Sequence, residues 1–394
     1  MSDVKVDWPL ERAEPESVGM SSQRLERIGE VVGRYIEAGR IAGAITVVSR
    51  RGKIVHLQCT GLMDIEKRKP MQEDAIFRIY SMTKLITSTA VLMLLEEGRF
   101  VLDEPASHFL PEMADLRVAV TGADGQQELV RPRRPVTIHD LLTHTSGIDY
   151  EFMHDAEDQG MDLARFVAEQ CKRPLKHQPG TTWMYGASTD VLGRLIEVVS
   201  GQTLDVFLDK RIFEPLGMTD TGFFVPPEKV DRLARCYTPG KDGKLVPAEM
   251  RPGRTFLKKP SLLSGGGGLV STTSDYLRLA QMLCDGGALG DMRLLSTKTV
   301  ELMHADHLPA GHPALDGNKR GFGLGGSVLR RLGETHQIGS VGEFGWGGAA
   351  CTQAWIDPAG RVVSIIMMQL VNPGEEKFLL MDLFKQAAYQ AIVE

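Results

Sequence analysis

Two residues near the end of the first quarter of the chain, Ser81 and Lys84, offer the clearest chemistry. They stand in Ser81-Met82-Thr83-Lys84, preceded by Phe77-Arg78-Ile79-Tyr80. Residues three apart share a helix face, so a lysine amine there reaches the serine hydroxyl. Serine is a weak nucleophile until a base takes its proton. An amine can be that base where burial or nearby positive charge weakens its hold on its own proton. A helix N-terminus adds free N–H groups that favour developing negative charge. The S-x-x-K pattern has little specificity by itself. Ser2-Asp3-Val4-Lys5 matches it as well, and a blander alternative makes Ser81 a helix cap with Lys84 in solvent.

Tyr185 is the second candidate, in Pro179-Gly180-Thr181-Thr182-Trp183-Met184-Tyr185. A phenol beside a cation can pass protons between attacking and leaving oxygens. The alternative is a half-buried tyrosine whose hydroxyl bonds a backbone group. The third candidate is Gly345-Trp346-Gly347-Gly348-Ala349, at the start of a predicted strand. Small residues let a substrate approach the backbone, and an edge N–H there would complete an oxyanion hole with the N–H of Ser81. The alternative is a glycine-rich strand entry or bulge.

Other patterns carry less. Gly321-Phe322-Gly323-Leu324-Gly325-Gly326 matches G-x-G-x-x-G but leads into strand-like sequence, not a helix, which argues against nucleotide binding. His304, His307 and His312 cluster in sequence without H-E-x-x-H spacing, so no metal is expected. No G-x-S-x-G nucleophile elbow and no G-x-x-x-x-G-K-[ST] occurs.

The elements that must position these residues follow from periodicity. The 394 residues suggest two or three domains, and 42% hydrophobic with 24% charged residues fits a globular chain. A net charge of −6 argues against nucleic-acid binding. No apolar run is long enough to span a membrane, and Met1–Gly19 lacks an apolar signal core, so a cytoplasmic protein is expected. Five cysteines without a C-x-x-C argue against a disulfide framework or zinc ribbon.

A helix is predicted around Leu25–Ile36, then a hairpin of Ala44–Ser49 and Lys53–Thr60 turning at Arg51-Gly52. A second helix is predicted over Ser81–Glu97, closed by Gly98. The middle reads as helical at Leu141-Leu142, Leu163–Val167, Val191–Val199 and Leu204–Leu208. Pro226–Pro260 reads as long surface loops. Helices over Ser274–Cys284 and Ser296–His304 follow, then a strand at Phe322–Arg330. A hairpin of Ala349–Ile356 and Arg361–Leu370 comes next, and a last helix from about Glu375 to Ile392. The simplest assembly joins both chain ends in one antiparallel sheet, with the helical middle as an inserted lobe.

In this order the motifs resemble the serine hydrolases of the class C β-lactamase and D-alanyl-D-alanine carboxypeptidase superfamily, and most of all their family VIII carboxylesterase branch. The resemblance runs from about residue 20 to the end. It is supported by Glu97–Asp103, Leu141-Leu142-Thr143-His144-Thr145-Ser146-Gly147, Pro215–Thr219 and Gly267–Thr272. It implies an α+β fold of the β-lactamase/DD-peptidase type, an α/β sandwich with an antiparallel sheet flanked by helices. The implied lobes are 1–84 with 260–394, and a mainly helical 85–259. It implies Ser81 as acylated nucleophile, Lys84 as its helical partner and Tyr185 as general base and acid. Ser81 and Ala349 would form the oxyanion hole, and Trp346, Gly347 and Gly348 would bind substrate.

Two departures from the lactamase pattern matter. Tyr-x-Asn is Tyr185-Gly186-Ala187 here, and the lysine of Lys-Thr-Gly is Trp346. An amide and a cation for lactam or carboxylate recognition are thereby lost, and an aromatic wall suits uncharged acyl groups. The expectation is a carboxylesterase for short- to medium-chain esters. It needs no cofactor or metal, and its partner is a small-molecule ester rather than nucleic acid or membrane. A β-lactamase, amide hydrolase or acyl transferase is the alternative. Tyr150, Phe152, Trp183, Tyr237 and Phe344 are candidate rim residues from their nearness to the motifs.

Overall fold

The computed structural model describes residues 6–122, 125–250, 254–308, 319–374 and 376–394. Ser2–Lys5, His312 and Glu375 lie outside the described residues. Eight antiparallel strands form the main sheet: β1 Gly43–Arg50, β2 Lys53–Asp64, β3 Lys69–Pro70, β4 Arg320–Phe322, β5 Ser327–Leu329, β6 Phe344–Gly347, β7 Gln353–Asp357 and β8 Val362–Met367. Their spatial order is β4-β5-β6-β7-β8-β1-β2-β3. The two halves of the chain meet at β8 and β1, where Ile45 faces Met367 and Arg50 faces Val362.

Alternation gives β1 two apolar faces. Ile45 and Val47 point into one cluster, Ala44 and Val48 into the other. Helices α1 (Ser22–Glu37) and α5 (Glu376–Tyr389) cover the second face, through Leu25, Ile28 and Val32 on α1 and Leu380 and Phe384 on α5. Ser21 caps α1 by accepting from Arg24 N–H. On the first face lie α2 (Thr83–Glu96) and α4 (Thr273–Cys284). Every residue of α2 from Thr83 to Leu94 is buried, the polar Thr83, Lys84, Thr87, Ser88 and Thr89 included, so the helix is enclosed on every side. One continuous apolar cluster runs from this sheet face through α2 into the helical middle, which includes α3 (Ser188–Ser200). Each large side chain in it contributes about 1.5–3 kcal/mol. A short ladder of Ile76–Arg78 with Val270–Thr272 leads into the turn that carries Ser81.

The β1–β2 hairpin turns at Arg51 (φ 50°) and Gly52 (φ 74°), the two positive φ values a tight hairpin needs. Three expectations need correction. The strand expected over Phe322–Arg330 is the β4–β5 hairpin, reversed at Gly323–Gly326. Gly325 has φ 100° there, and Gly323 N–H donates to the Gly326 carbonyl at 2.8 Å. The strand expected to begin at Ala349 begins at Gln353. Residues 348–352 form a turn with Cys351 at φ 62°, so the Gly345–Ala349 motif closes β6 instead of opening a strand. Pro226–Pro260 is not all surface loop, for Tyr237–Pro239 pairs with Leu245–Pro247, and Tyr237 is fully buried with its hydroxyl donating to Glu66.

All five cysteines are free thiols. Among the described residues no helix is long and apolar enough to cross a membrane.

Candidate active site

Ser81 sits in a single 3-10 turn, Tyr80–Met82, that runs directly into α2. Tyr80 holds φ 40°, a conformation that costs a non-glycine residue about 1–3 kcal/mol. Packing keeps it there: the ring is 6% exposed and meets Phe256 edge to face at 5.8 Å. One helical turn on, Lys84 is completely buried. Its ammonium donates to Ser81 Oγ at 3.3 Å, Tyr150 Oη at 2.8 Å and the Gly266 carbonyl at 2.6 Å. Three acceptors match the three donors of an ammonium. A neutral amine would keep two donors and turn its lone pair to the third partner. The longest of the three contacts is the one to Ser81.

Tyr185 comes from the loop before α3. Met184 N–H donates to the His144 carbonyl at 2.9 Å, and Ala187 N–H to the Asp149 carbonyl at 3.3 Å. A Cβ on Gly186 would lie 1.8 Å from the Ile148 carbonyl oxygen, so only glycine allows this approach. The Tyr185 hydroxyl donates to Ser81 Oγ at 2.8 Å, and Trp346 Nε1–H donates to the Tyr185 oxygen at 3.2 Å. The indole therefore presents a neutral donor to the phenol where the lactamase pattern has a lysine. Lys84 Nζ also lies 4.6 Å from the centroid of the Tyr185 ring, within cation–π range. Ala187, where the lactamase pattern has asparagine, is fully buried in the apolar core.

Trp346 is 7% exposed. Its ring lies 5.4 Å from Tyr185 and 5.3 Å from Phe322. At the end of β6, a Cβ on Gly348 would fall 2.4 Å from the Ile79 carbonyl oxygen. This close approach sets the strand end against the turn that carries Ser81. Ala349 packs against the cluster containing Tyr80.

The expected Ser81, Lys84, Tyr185 and Trp346 thus meet in one place, with Gly348 and Ala349 beside the nucleophile turn. Among the candidate rim residues, Tyr150 is at the centre instead, bonded to Lys84. Burial, then the neighbouring Tyr185 and Asp190, hold its phenol well above its ordinary pKa, so it stays protonated. Trp183 stacks over Tyr185 at 6.1 Å. Phe152 stacks on Phe166. Tyr237 and Phe344 are no rim residues: Phe344 is fully buried and stacks on His304 at 4.3 Å.

Two polar residues given no role from the sequence support the centre. His144 is fully buried, 4.9 Å from the Tyr185 ring. Burial, and then the Lys84 charge, hold it well below its ordinary pKa, so it is neutral. Its place in the Leu141–Gly147 segment was the available signal. Asp190, on α3, accepts from Ser264 Oγ at 2.5 Å and Gly266 N–H at 3.0 Å. Among the described residues no group of three or more potential ligands is placed to hold a metal ion.

A buried amine and a phenol on one serine oxygen, on this sheet topology, point to acyl-transfer chemistry. The family model described as Beta-lactamase matches residues 28–387. The chain belongs to this beta-lactamase family. It is a serine hydrolase, and its fold is the β-lactamase and penicillin-binding-protein type expected. Esterase EstB of Burkholderia gladioli is 30% identical over 376 residues, covering 89% of this chain and 91% of that one. Lovastatin esterase of Penicillium rubens is 33% identical over 371 residues, covering 86% and 91%. Among solved structures, EstCE1, described as a hydrolase with promiscuous acyltransferase activity, superposes with a TM-score of 0.82. It shares 26% identity, and the match covers 93% of this chain and 99% of that one. These relatives place the beta-lactamase-family chain among esterase and acyltransferase members, in keeping with the branch expected from its motifs.

Proposed function

We propose that this serine hydrolase is a carboxylesterase, cleaving short- to medium-chain carboxylic esters through an acyl-Ser81 intermediate. The observation that carries the reading is the double hold on Ser81 Oγ, by Lys84 at 3.3 Å and Tyr185 at 2.8 Å, with Trp346 bonded behind the tyrosine. Once its ammonium has released one proton to solvent, Lys84 keeps its two short bonds and accepts the Ser81 proton as Oγ attacks the ester carbonyl carbon. The N–H groups of Ser81 and Ala349 receive the oxyanion. Collapse of the tetrahedral intermediate breaks the bond to the alcohol oxygen, which takes a proton from Tyr185. The proton held on Lys84 then restores the phenol, and the Trp346 N–H steadies the phenol oxygen in between. Water repeats the sequence on the acyl-enzyme and frees Ser81 and the acid.

Trp346, with Gly347 and Gly348, forms an apolar, uncharged wall suited to an acyl chain. The named activities of EstB and lovastatin esterase support ester substrates. The name of EstCE1 supports a second outcome, transfer of the acyl group to an alcohol in place of water. The test is wild type against Ser81→Ala on p-nitrophenyl esters of graded chain length, with a chromogenic cephalosporin and an added alcohol as competing acyl donor and acceptor. Full esterase activity in Ser81→Ala refutes the mechanism. Turnover of the cephalosporin at ester-like rates moves the reading to a β-lactamase.

A further inference from the structure

Asp190 is a buried carboxylate that the scheme above does not use. It lies five residues past Tyr185, near the start of α3, and is 0% exposed. Oδ1 accepts both of its hydrogen bonds, from Ser264 Oγ at 2.5 Å and Gly266 N–H at 3.0 Å. Oδ2 is buried with no hydrogen-bond partner. It lies against Gly266, where an added Cβ would come within 2.5 Å of it. The other end of Gly266 carries the shortest bond Lys84 makes, through the Gly266 carbonyl at 2.6 Å. The preceding carbonyl, of Gly265, is held by Thr87 Oγ1 at 2.7 Å. A Cβ on Gly265 would lie 2.8 Å from the Thr189 carbonyl oxygen, so this short segment is wedged between α2 and α3.

We infer that Asp190 is a positioning residue for the Ser81 reaction, anchoring Gly266 so that its carbonyl holds Lys84 on the serine. The inference rests on the esterase reading above. An asparagine could accept both bonds at its Oδ1, but it would put a buried amide N–H₂ where Oδ2 now lies against Gly266. Burial holds the Asp190 carboxyl above its ordinary pKa, and Lys84 opposes that push. The other ionisable groups around it are Glu157, whose charge opposes ionisation of Asp190, and Tyr150, which stays protonated. His144 is kept neutral by burial first and then by the nearby Lys84. Asp190 also joins the element that supplies Tyr185 to the loop that holds Lys84, so one side chain keeps both groups in register on Ser81.

The test compares Asp190→Asn, Asp190→Ala and Ser264→Ala with wild type, on p-nitrophenyl butyrate across pH. Asp190→Ala should lower kcat about 100-fold with KM within about threefold, the size expected for roughly 1 Å of misplacement. Asp190→Asn should lose about tenfold in kcat, because the amide disturbs the hold on Gly266. Ser264→Ala, losing one anchor bond, should fall between wild type and Asp190→Asn. If Asp190→Ala does not fold, the other two variants decide. An Asp190→Asn enzyme with wild-type kcat overturns the inference, as does a loss confined to KM. Absence of esterase activity in the wild type would instead sink the esterase reading, so the two failures are distinct.

Discussion

Gly348→Ala is the sharpest probe of how the strand end meets the nucleophile. The added Cβ would sit 2.4 Å from the carbonyl oxygen of Ile79, two residues before Ser81, and 2.3 Å from Thr352 Oγ1. The hydroxyl can rotate away but the carbonyl is backbone. Reaching a tolerable contact requires the end of β6 to retreat by about 0.6 to 1.0 Å. The residue that moves with it is Ala349, assigned an oxyanion N–H. Misplacement of roughly 1 Å costs about 100-fold, and complete loss of one oxyanion donor about 10²–10³. Gly348→Ala should therefore lower kcat on p-nitrophenyl butyrate about 100-fold, with KM within about threefold. Gly347→Ala is the matched control. Its Cβ meets the far end of a side chain, Gln353 Oε1 at 2.1 Å, with the nearest backbone atom at 3.2 Å. Swinging Gln353 aside relieves it, and the loss should stay under about tenfold. Steady-state kinetics and a thermal melt on both variants decide the matter. A Gly348→Ala enzyme within threefold of wild type, or a Gly347→Ala enzyme equally impaired, refutes the argument.

Tyr185→Phe should cost about 10²–10⁴ in kcat as the proton carrier is lost, whereas Tyr150→Phe, losing one bond to Lys84, should cost about tenfold. The reverse ranking in stopped-flow acylation would exchange the two roles. Trp346→Ala should change the preference among ester chain lengths more than it slows acetyl transfer, and a uniform loss on every ester would count against a wall for the acyl group. Stability should decline with acidity because of His304, 8% exposed against Phe344. Burial pushes its folded pKa down to about 3 from 6.5. The native state then binds fewer protons than the unfolded one below pH 6.5, so its contribution is intact above 6.5 and is lost as pH falls toward 3. Between pH 7 and 5 the loss from this residue is about 2 kcal/mol. His304→Phe should flatten urea-unfolding stability over that range, and an unchanged slope would refute the assignment.

Local pattern made part of this site legible. Ser81 and Lys84 lie one helical turn apart, a spacing that reads directly as proximity. The hairpin at Arg51-Gly52 needs only two positive φ values and shows itself in two residues. Tyr150 and Asp190 were less visible, because each earns its role from a partner 66 or 76 positions away. A half-buried tyrosine and a helix-start aspartate look ordinary until the chain closes around Lys84. The run Gly321–Gly326 misled for a different reason. Flanking apolar residues continue the two-residue alternation through it, and the reversal depends on the freedom of Gly325 at φ 100°, which alternation does not reveal.

The join between β8 and β1 has a consequence for synthesis. β1 acquires β2 as a local partner within a few residues, but its other edge waits for residues 362–367. During translation more than 300 residues must emerge while that apolar edge has no partner of its own, and an open edge of this kind recruits other strands. The same delay keeps the nascent chain from acting on esters, because Trp346 and the turn at Gly348 arrive almost last. Fragments ending before residue 362 should therefore be both inactive and prone to associate. The protection and the catalytic competence of this enzyme arrive together, at a single late closure.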